Sequence, residues 1–275
     1  MRGRPGASAI GLALAVATVV LITTALLVPG LGVSNGTARR PASGETATVL
    51  PSLTTETFCP TIPSVPHWVV SSCPVNNFNA TNGSTSFVVV GLNLSVPETV
   101  TVQSSASTPY TLVATRTNAP AKQGIWLFVA DDVPAIAWGS LWVNVSVPTR
   151  IVVATLDIVR AADPSVGAVS PGAAGNGTLF KQSVASTDND LLVLAAFGNM
   201  SLASTVCGFH GTLGADGRAL IGDASGTYRN LEVGYLVNEN GSEPRLQFHF
   251  GHIVRGGCFR KATPYVGFLV SFEAG

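Results

Sequence analysis

The alternation of apolar and polar side chains between residues 141 and 147 constrains the fold more than any other feature of the sequence. One face carries Leu141, Val143, Val145 and Val147, and the other carries Trp142, Asn144 and Ser146. A period of two is the pattern of a β-strand with one buried face. After Pro148-Thr149-Arg150, residues 151–159 form a β-branched run that is apolar on both faces, which is typical of a central strand. We predict a β-hairpin across residues 140–159.

Asn144 also begins the glycosylation sequon Asn-Val-Ser, and a glycan must point to solvent, so the sequon and the alternation assign the same face outward. Eight of the 14 asparagines begin such sequons, namely Asn35, Asn79, Asn82, Asn93, Asn144, Asn176, Asn199 and Asn240. This excess favours a chain that passes through an N-glycosylating export pathway. The alternative is a Ser/Thr-rich β protein that uses Asn in its turns.

The charge balance excludes one class of partner. Only 11% of the 275 residues are charged, and 15 basic residues balance 15 acidic ones. A formal net charge of zero provides no electrostatic attraction for nucleic acid, so no nucleic-acid partner is predicted.

The amino-terminal segment, residues 1–33, is predicted to insert into a membrane. Arg2 and Arg4 precede an uncharged apolar run whose core, residues 10–28, is long enough to span a bilayer. We predict a transmembrane signal-anchor helix with the arginines on the cytoplasmic side, and a cleaved signal peptide is the alternative. Either outcome places the remaining chain outside the cell, membrane-anchored or secreted. Residues 6–11 also resemble the start of archaeal pilin-type signal segments.

Residues 34–83 are predicted to form a stalk rich in Ser, Thr and Pro. Cys59 and Cys73 lie close together in sequence and can close a local disulfide loop in an oxidising compartment. We predict a second bridge between Cys207 and Cys258. The alternative is that the stalk cysteines bond to a second chain.

Residues 84–275 are predicted to fold as an antiparallel, jelly-roll-like β-sandwich. Short candidate strands are separated by turn residues, and the pattern of residues 84–160 recurs in residues 187–273. Two such thin halves are expected to pair into one sandwich, joined by a loop over residues 160–182.

The region 84–272 resembles a group of secreted and surface-anchored β-sandwich domains of bacteria and archaea. The resemblance rests on the strand pattern and on short words such as Thr149-Arg150-Ile151-Val152-Val153-Ala154 and Asp188-Asn189-Asp190-Leu191. It implies a jelly-roll-like fold and a surface location, and it implies no activity.

Few residues suggest catalysis or metal binding, and no cofactor is predicted. The sequence lacks the short motifs of metalloproteases, serine hydrolases, phosphate-binding loops and EF-hands. His210, His249 and His252 are weak zinc candidates, and Asp188 with Asp190 and Asp131 with Asp132 are weak calcium candidates. Asp157 and Glu232 are the acids that a glycosidase would use, but both are expected to face solvent.

The tryptophans suggest binding more strongly. Trp142 alternates with the core positions, so it is predicted to be exposed and to contact a ligand, whereas Trp126 and Trp138 are expected to pack in the core or at an edge. We therefore predict a non-catalytic extracellular module for adhesion, surface structure or binding of a glycan or protein ligand. The alternatives are a secreted glycan-active hydrolase and a pilin-like filament subunit.

Overall fold

The computed structural model describes residues 48–49, 55–59, 69–93, 99–159, 166–187, 190–198, 205–211, 218–219, 231–238, 245–254, 257–260 and 262–273. These residues all belong to one compact unit, Ala38–Gly275. The predicted membrane helix at residues 10–28 lies outside them. Within the described ranges, no helix has the length and apolarity needed to cross a membrane.

The described residues are organised as β-strands. In chain order the first nine are β1 (Thr48–Val49), β2 (Thr55–Cys59), β3 (Val70–Ala80), β4 (Ser84–Leu92), β5 (Val100–Ser104), β6 (Thr111–Asn118), β7 (Gln123–Val133), β8 (Ile136–Thr149) and β9 (Ile151–Val159). The others are β10 (Val166–Val169), β11 (Ala173–Gly177), β12 (Leu179–Ser183), β13 (Asp190–Gly198), β14 (Thr205–Gly211), β15 (Arg218–Ala219), β16 (Leu231–Asn238), β17 (Arg245–Val254), β18 (Gly257–Arg260) and β19 (Thr263–Phe272).

These strands pair antiparallel in four sheets. Sheet A has the order β9-β4-β7-β6, with β1 and β2 both paired to the outer side of β9, and sheet B has the order β3-β8-β5. Sheet C has the order β19-β13-β16-β15, with β10 and β11 paired to β19, and sheet D has the order β12-β17-β14, with β18 paired to β17. The prediction of an all-β fold of antiparallel sheets is confirmed.

The sheets stack in the order B, A, C, D, with an apolar core between each neighbouring pair. The core between sheets A and C contains alternate residues of both, such as Phe87 and Val152 from sheet A and Val193 and Phe268 from sheet C. The opposite face of sheet A packs on sheet B, and the opposite face of sheet C packs on sheet D. The expectation of one sandwich is therefore wrong in its layering, because each half of the chain forms two sheets of its own.

The predicted hairpin at residues 140–159 is also wrong. β8 and β9 follow each other directly, but β8 pairs with β3 and β5 in sheet B, whereas β9 pairs with β4 in sheet A. The chain crosses between two layers at Arg150. The alternation of β8 and the apolar character of β9 are both confirmed, since β8 has one inward face and Ile151 to Ile158 are buried on both faces.

Parts of the predicted stalk and of the predicted loop belong to the sheets. β1 and β2 pair with β9, and β3 pairs with β8 along most of its length, although all three lie within residues 34–83. Cys73, Val75 and Phe78 of β3 are completely buried, which explains why this segment is ordered against the core. Residues 160–182, expected to form a loop, likewise contain β10, β11 and most of β12.

The disulfide between Cys59 and Cys73 is present, as predicted. Cys59 lies on β2 in sheet A and Cys73 on β3 in sheet B, so the bridge joins the two sheets across their shared core. Cys207 and Cys258 lie on β14 and β18, which both pair with β17, but their side chains are outside the described part of the structure. That second bridge remains a prediction.

The contact between sheets A and C depends on a close fit of Phe197 against Gly91. A Cβ atom at Gly91 would lie 2.5 Å from Cδ2 of Phe197 and 2.9 Å from Cγ1 of Val152, so no larger residue fits here without displacement. Phe87 and Phe272 also meet across this core, edge to face, with ring centroids 4.9 Å apart.

Side chains of the first half also donate hydrogen bonds to backbone carbonyls of the second half. Arg116 on β6 donates through Nη2 to the carbonyl of Ser170 at 3.0 Å. Asn118 donates to the carbonyl of Tyr265 at 2.9 Å. Bonds of this kind fix the two halves in register where the apolar core ends.

We predict that Gly91→Ala lowers the free energy of unfolding by about 1–3 kcal/mol, because the added methyl group pushes Phe197 out of its place. Chemical denaturation of the full chain measures this change. Gly177→Ala is the matched control, since a Cβ atom there would lie 3.6 Å from Tyr265, an ordinary contact distance. Equal stability of the two variants would contradict the role given to the contact between Gly91 and Phe197.

Candidate functional site

The outer face of sheet B is the candidate functional site. Its three strands place side chains in rows across the sheet. Trp142 lies between Pro74 and Gln103. In the next row along β8, Asn144 lies between Ser72 and Thr101. These two rows therefore present one indole ring within a group of short amides and hydroxyls.

Trp142 is exposed because β8 alternates. Leu141 and Val143 are completely buried against sheet A, so the side chain between them must point away from the core. Trp142 is 36% exposed, as predicted. Val147, predicted to be buried, is also 36% exposed, because the pairing of β8 with β5 ends at Val145 and the core ends with it.

Trp138 is the largest departure from the sequence prediction on this face. It was expected to pack in the core or at an edge, but it is 76% exposed, the most exposed of the large apolar side chains in the described residues. Its φ of 56° lies in the left-handed region, within an irregularity of the pairing between β3 and β8. The alternation of residues 141–147 places residue 138 on the outward face, whereas the buried Ile136, across the irregularity, has the opposite phase. Trp126, by contrast, is buried, as expected.

The face is electrically neutral. None of the residues of β3, β5 and β8 is an Asp, Glu, Lys or Arg. Hydrogen bonding and contact with the aromatic rings are therefore the interactions that these strands offer to a ligand.

The chain was compared with protein families, with characterised proteins and with solved structures, and no match was found. The site must therefore be interpreted from its own chemistry.

Asp157, nominated as a glycosidase acid, is not available to a substrate. It was expected to face solvent, but it is completely buried at the end of the core between sheets A and B. Its carboxylate accepts hydrogen bonds from Oγ of Ser84 at 2.5 Å and from the backbone N–H of Thr81 at 3.1 Å. The side chain of Glu232, the other nominated acid, is outside the described part of the structure.

Burial raises the pKa values of two neighbouring side chains, Asp157 and Tyr110. It raises the pKa of the Asp157 carboxyl above its ordinary value, while the hydrogen bonds from Ser84 and Thr81 act in the opposite direction. Burial also raises the pKa of Tyr110 to about 12, although the hydrogen bond of Tyr110 to Ser86 lowers it and the charge of Asp157 raises it further.

The metal candidates do not form a site in the described residues, where no group of three His, Cys, Asp or Glu side chains comes together. Asp190 is buried and accepts hydrogen bonds from Thr187 and Ser271. Asp131 accepts a hydrogen bond from Thr85, and Asp132 is exposed at the end of β7. Asp188 lies outside the described residues, and the side chains of His210, His249 and His252 are not described.

The sequons occupy different environments. Asn82 and Asn176 are exposed, whereas Asn79, Asn93 and Asn144 are partly buried. Asn93 was expected on an outward strand face, but β4 is buried on both faces and Asn93 lies just after its end. Asn35, Asn199 and Asn240 lie outside the described residues, as does Leu94, which was expected to point inward.

We predict that Asp157→Asn removes a pH dependence from the stability of the protein. Because the folded-state pKa of Asp157 is raised, the folded protein holds this proton more tightly than the unfolded chain does. The corresponding stabilisation is complete below the unfolded pKa of about 4 and is lost as the pH rises through the folded pKa. Relative to the wild type, the variant should therefore gain stability as the pH rises from about 4 towards neutrality.

Urea denaturation of both proteins over this pH range measures the difference. Ser84→Ala should extend the dependence to higher pH, because it removes a hydrogen bond that favours the carboxylate. Parallel pH curves for the wild type and Asp157→Asn would show that the carboxyl does not have a raised pKa.

Proposed function

We propose that this protein is a non-catalytic module of the cell exterior that binds glycans through the outer face of sheet B. One observation carries the proposal: Trp142 is exposed at the centre of an uncharged face of hydrogen-bonding side chains. Adhesion or attachment to a surface polymer is the role that such a face fits best.

The chemistry of a sugar matches this arrangement. A sugar ring has an apolar C–H surface that packs on an indole ring, and its rim of hydroxyl groups both donates and accepts hydrogen bonds. Gln103 lies beside Trp142 in the same row and Asn144 lies in the next row along β8, and both supply donors and acceptors through their amides. A neutral glycan needs no charged partner, and these strands provide none.

The hydrolase alternative has less support. A glycosidase needs two carboxyl groups about 5–10 Å apart on either side of the scissile bond. β3, β5 and β8 contain no carboxylate, and Asp157 is enclosed beneath Thr81 and Ser84.

An extracellular location is part of the proposal. The disulfide between Cys59 and Cys73 supports it, because such bonds persist in oxidising compartments and are rare in the cytosol. The eight sequons support it as well. The apolar segment at residues 10–28 would tether the module to the membrane, which remains an inference from the sequence.

We further infer that the chain is a tandem pair of jelly rolls that arose by duplication. The order β9-β4-β7-β6 over β3-β8-β5 recurs as β19-β13-β16-β15 over β12-β17-β14. In each half two early strands also pair with the last one, β1 and β2 with β9, and β10 and β11 with β19.

A pair of matching turns supports the duplication. The N–H of Ser84 donates to the carbonyl of Thr81 at 3.1 Å, and the N–H of Asp190 donates to the carbonyl of Thr187 at 3.4 Å. In both turns the threonine N–H then donates to a buried carboxylate, at 3.1 Å in the first half and 2.7 Å in the second.

The carboxylate and its hydroxyl partner have exchanged strands between the halves. In the first half Asp157 on β9 accepts from Ser84 on β4. In the second half Asp190 on β13, the counterpart of β4, accepts from Ser271 on β19, the counterpart of β9. The same buried polar contact thus recurs with its two members interchanged.

We predict that Trp142→Ala weakens glycan binding at least about tenfold, because a central aromatic anchor typically contributes about 2 kcal/mol to an interface. The measurement is a glycan array with the full chain, produced without N-glycans and held in a detergent that has no sugar headgroup. Leu112→Ala is the matched control, since Leu112 is 47% exposed but lies on β6 in sheet A. Absence of binding by the wild type, or equal binding by both variants, would refute the proposal.

A further inference from the structure

We infer that Trp138 is a second aromatic platform of this face, and that Trp138 and Trp142 together bind an extended, neutral polysaccharide chain that lies along β8. The inference rests on the proposed function and adds the class of ligand and the direction in which it lies. The observation that supports the inference is the backbone conformation that holds Trp138 out of the core.

Trp138 is displayed at an energetic cost. A bulky residue rarely adopts a left-handed backbone conformation, and its φ of 56° is in that region. Such positions persist only where the surrounding structure enforces them, and they are concentrated at binding sites. At 76% exposure the indole ring receives little packing in return.

β3 enforces the conformation from one side. The N–H of Trp138 donates to Oδ1 of Asn79 at 2.9 Å, and Nδ2 of Asn79 donates to the carbonyl of Asn77 at 2.9 Å. Asn77 is itself in the left-handed region, with φ of 59°. One asparagine side chain therefore connects two unusual backbone positions on neighbouring strands.

The turn after β5 enforces it from the other side. The N–H of Ser105 donates to the carbonyl of Ser140 at 2.9 Å, and the N–H of Ser140 donates to Oγ of Ser105 at 3.3 Å. Gly139, between Trp138 and Ser140, has no space for a side chain, since a Cβ atom there would lie 2.4 Å from Cγ2 of Ile136. The backbone that carries Trp138 is thus held on both flanks, so the point from which the ring projects is fixed relative to Trp142.

The spacing of the rings requires a ligand with several sugars. Four residues along a strand span about 13 Å, somewhat less where the strand is irregular. A monosaccharide is similar in size to one indole ring and cannot cover both. Ser140 and Asn76 lie opposite each other in the row between the rings and can hydrogen-bond the intervening sugars.

The lack of charge makes the ligand a neutral polymer. Acidic polysaccharides are bound through Arg and Lys, and β3, β5 and β8 contain neither. A second copy of this chain, packed ring against ring, is the competing occupant.

The test measures binding as a function of ligand length. The probes are linear β-1,4-linked oligomers of glucose, N-acetylglucosamine and mannose, from monomer to hexamer, titrated calorimetrically into the full chain without N-glycans in a detergent that lacks a sugar headgroup. In the wild type we expect affinity for at least one series to rise at least about tenfold from the dimer to the pentamer, a step of about 1.4 kcal/mol.

The variants separate the two platforms. Trp138→Gly removes the ring and relieves the left-handed backbone, so folding is retained and the increase in affinity with oligomer length should disappear. Trp138→Phe keeps a ring and should preserve most of the increase. Trp142→Ala should weaken binding at every length.

Each outcome decides a different point. If no oligomer and no arrayed glycan binds to the wild type, the proposed function itself fails. If oligomers bind but Trp138→Gly keeps the full increase with length, only the second platform is refuted. If Trp138→Gly instead abolishes self-association seen by analytical ultracentrifugation while oligomers do not bind, the occupant is a second copy of the chain and the inference is overturned.

Discussion

The packing of sheet A against sheet C is the contact on which the rest of the fold depends. The central strands of both sheets are buried on both faces, and β4 and β13 are buried along their whole length. A β-sheet that faces water on neither side must be covered by other layers, and here sheets B and D supply them. Within the described residues, sheets B and D each have one face that no further sheet covers, which limits where this molecule can contact a large ligand.

The sequence predicts the local features that depend only on how apolar and polar side chains alternate along a strand. Residues 151–159 are apolar on both faces because β9 lies inside sheet A, and Trp142 is exposed because its neighbours on β8 are buried. The pairing of Cys59 with Cys73 was also predictable, since it closes a short loop. Features that depend on contacts between residues distant in sequence could not be predicted. Whether β8 and β9 form a hairpin or cross between sheets is decided by which strands pair with each, and the turn residues carry no such information.

Two errors at individual residues have a similar origin. Asp157 was expected at the surface because a carboxylate is rarely buried unless it has partners, and its partners Ser84 and Thr81 are more than 70 residues away in sequence. Trp138 was expected to pack, and the residues that hold its backbone in the outward conformation, Asn79 on β3 and Ser105 after β5, are likewise distant in sequence. The inferred duplication would leave no matching residues at this buried contact, because carboxylate and hydroxyl are exchanged between the two halves. The contact is kept, but neither residue type recurs at its own position.

The position of Asn144 has a consequence for any sugar linked to it. It lies two residues from Trp142 on the same face, in the row between Ser72 and Thr101. A glycan on this side chain would be tethered beside the indole ring, where its effective concentration would be of the order of millimolar or higher. Occupancy of a single sequon would then determine whether the face is open to other molecules or already covered by the protein's own carbohydrate.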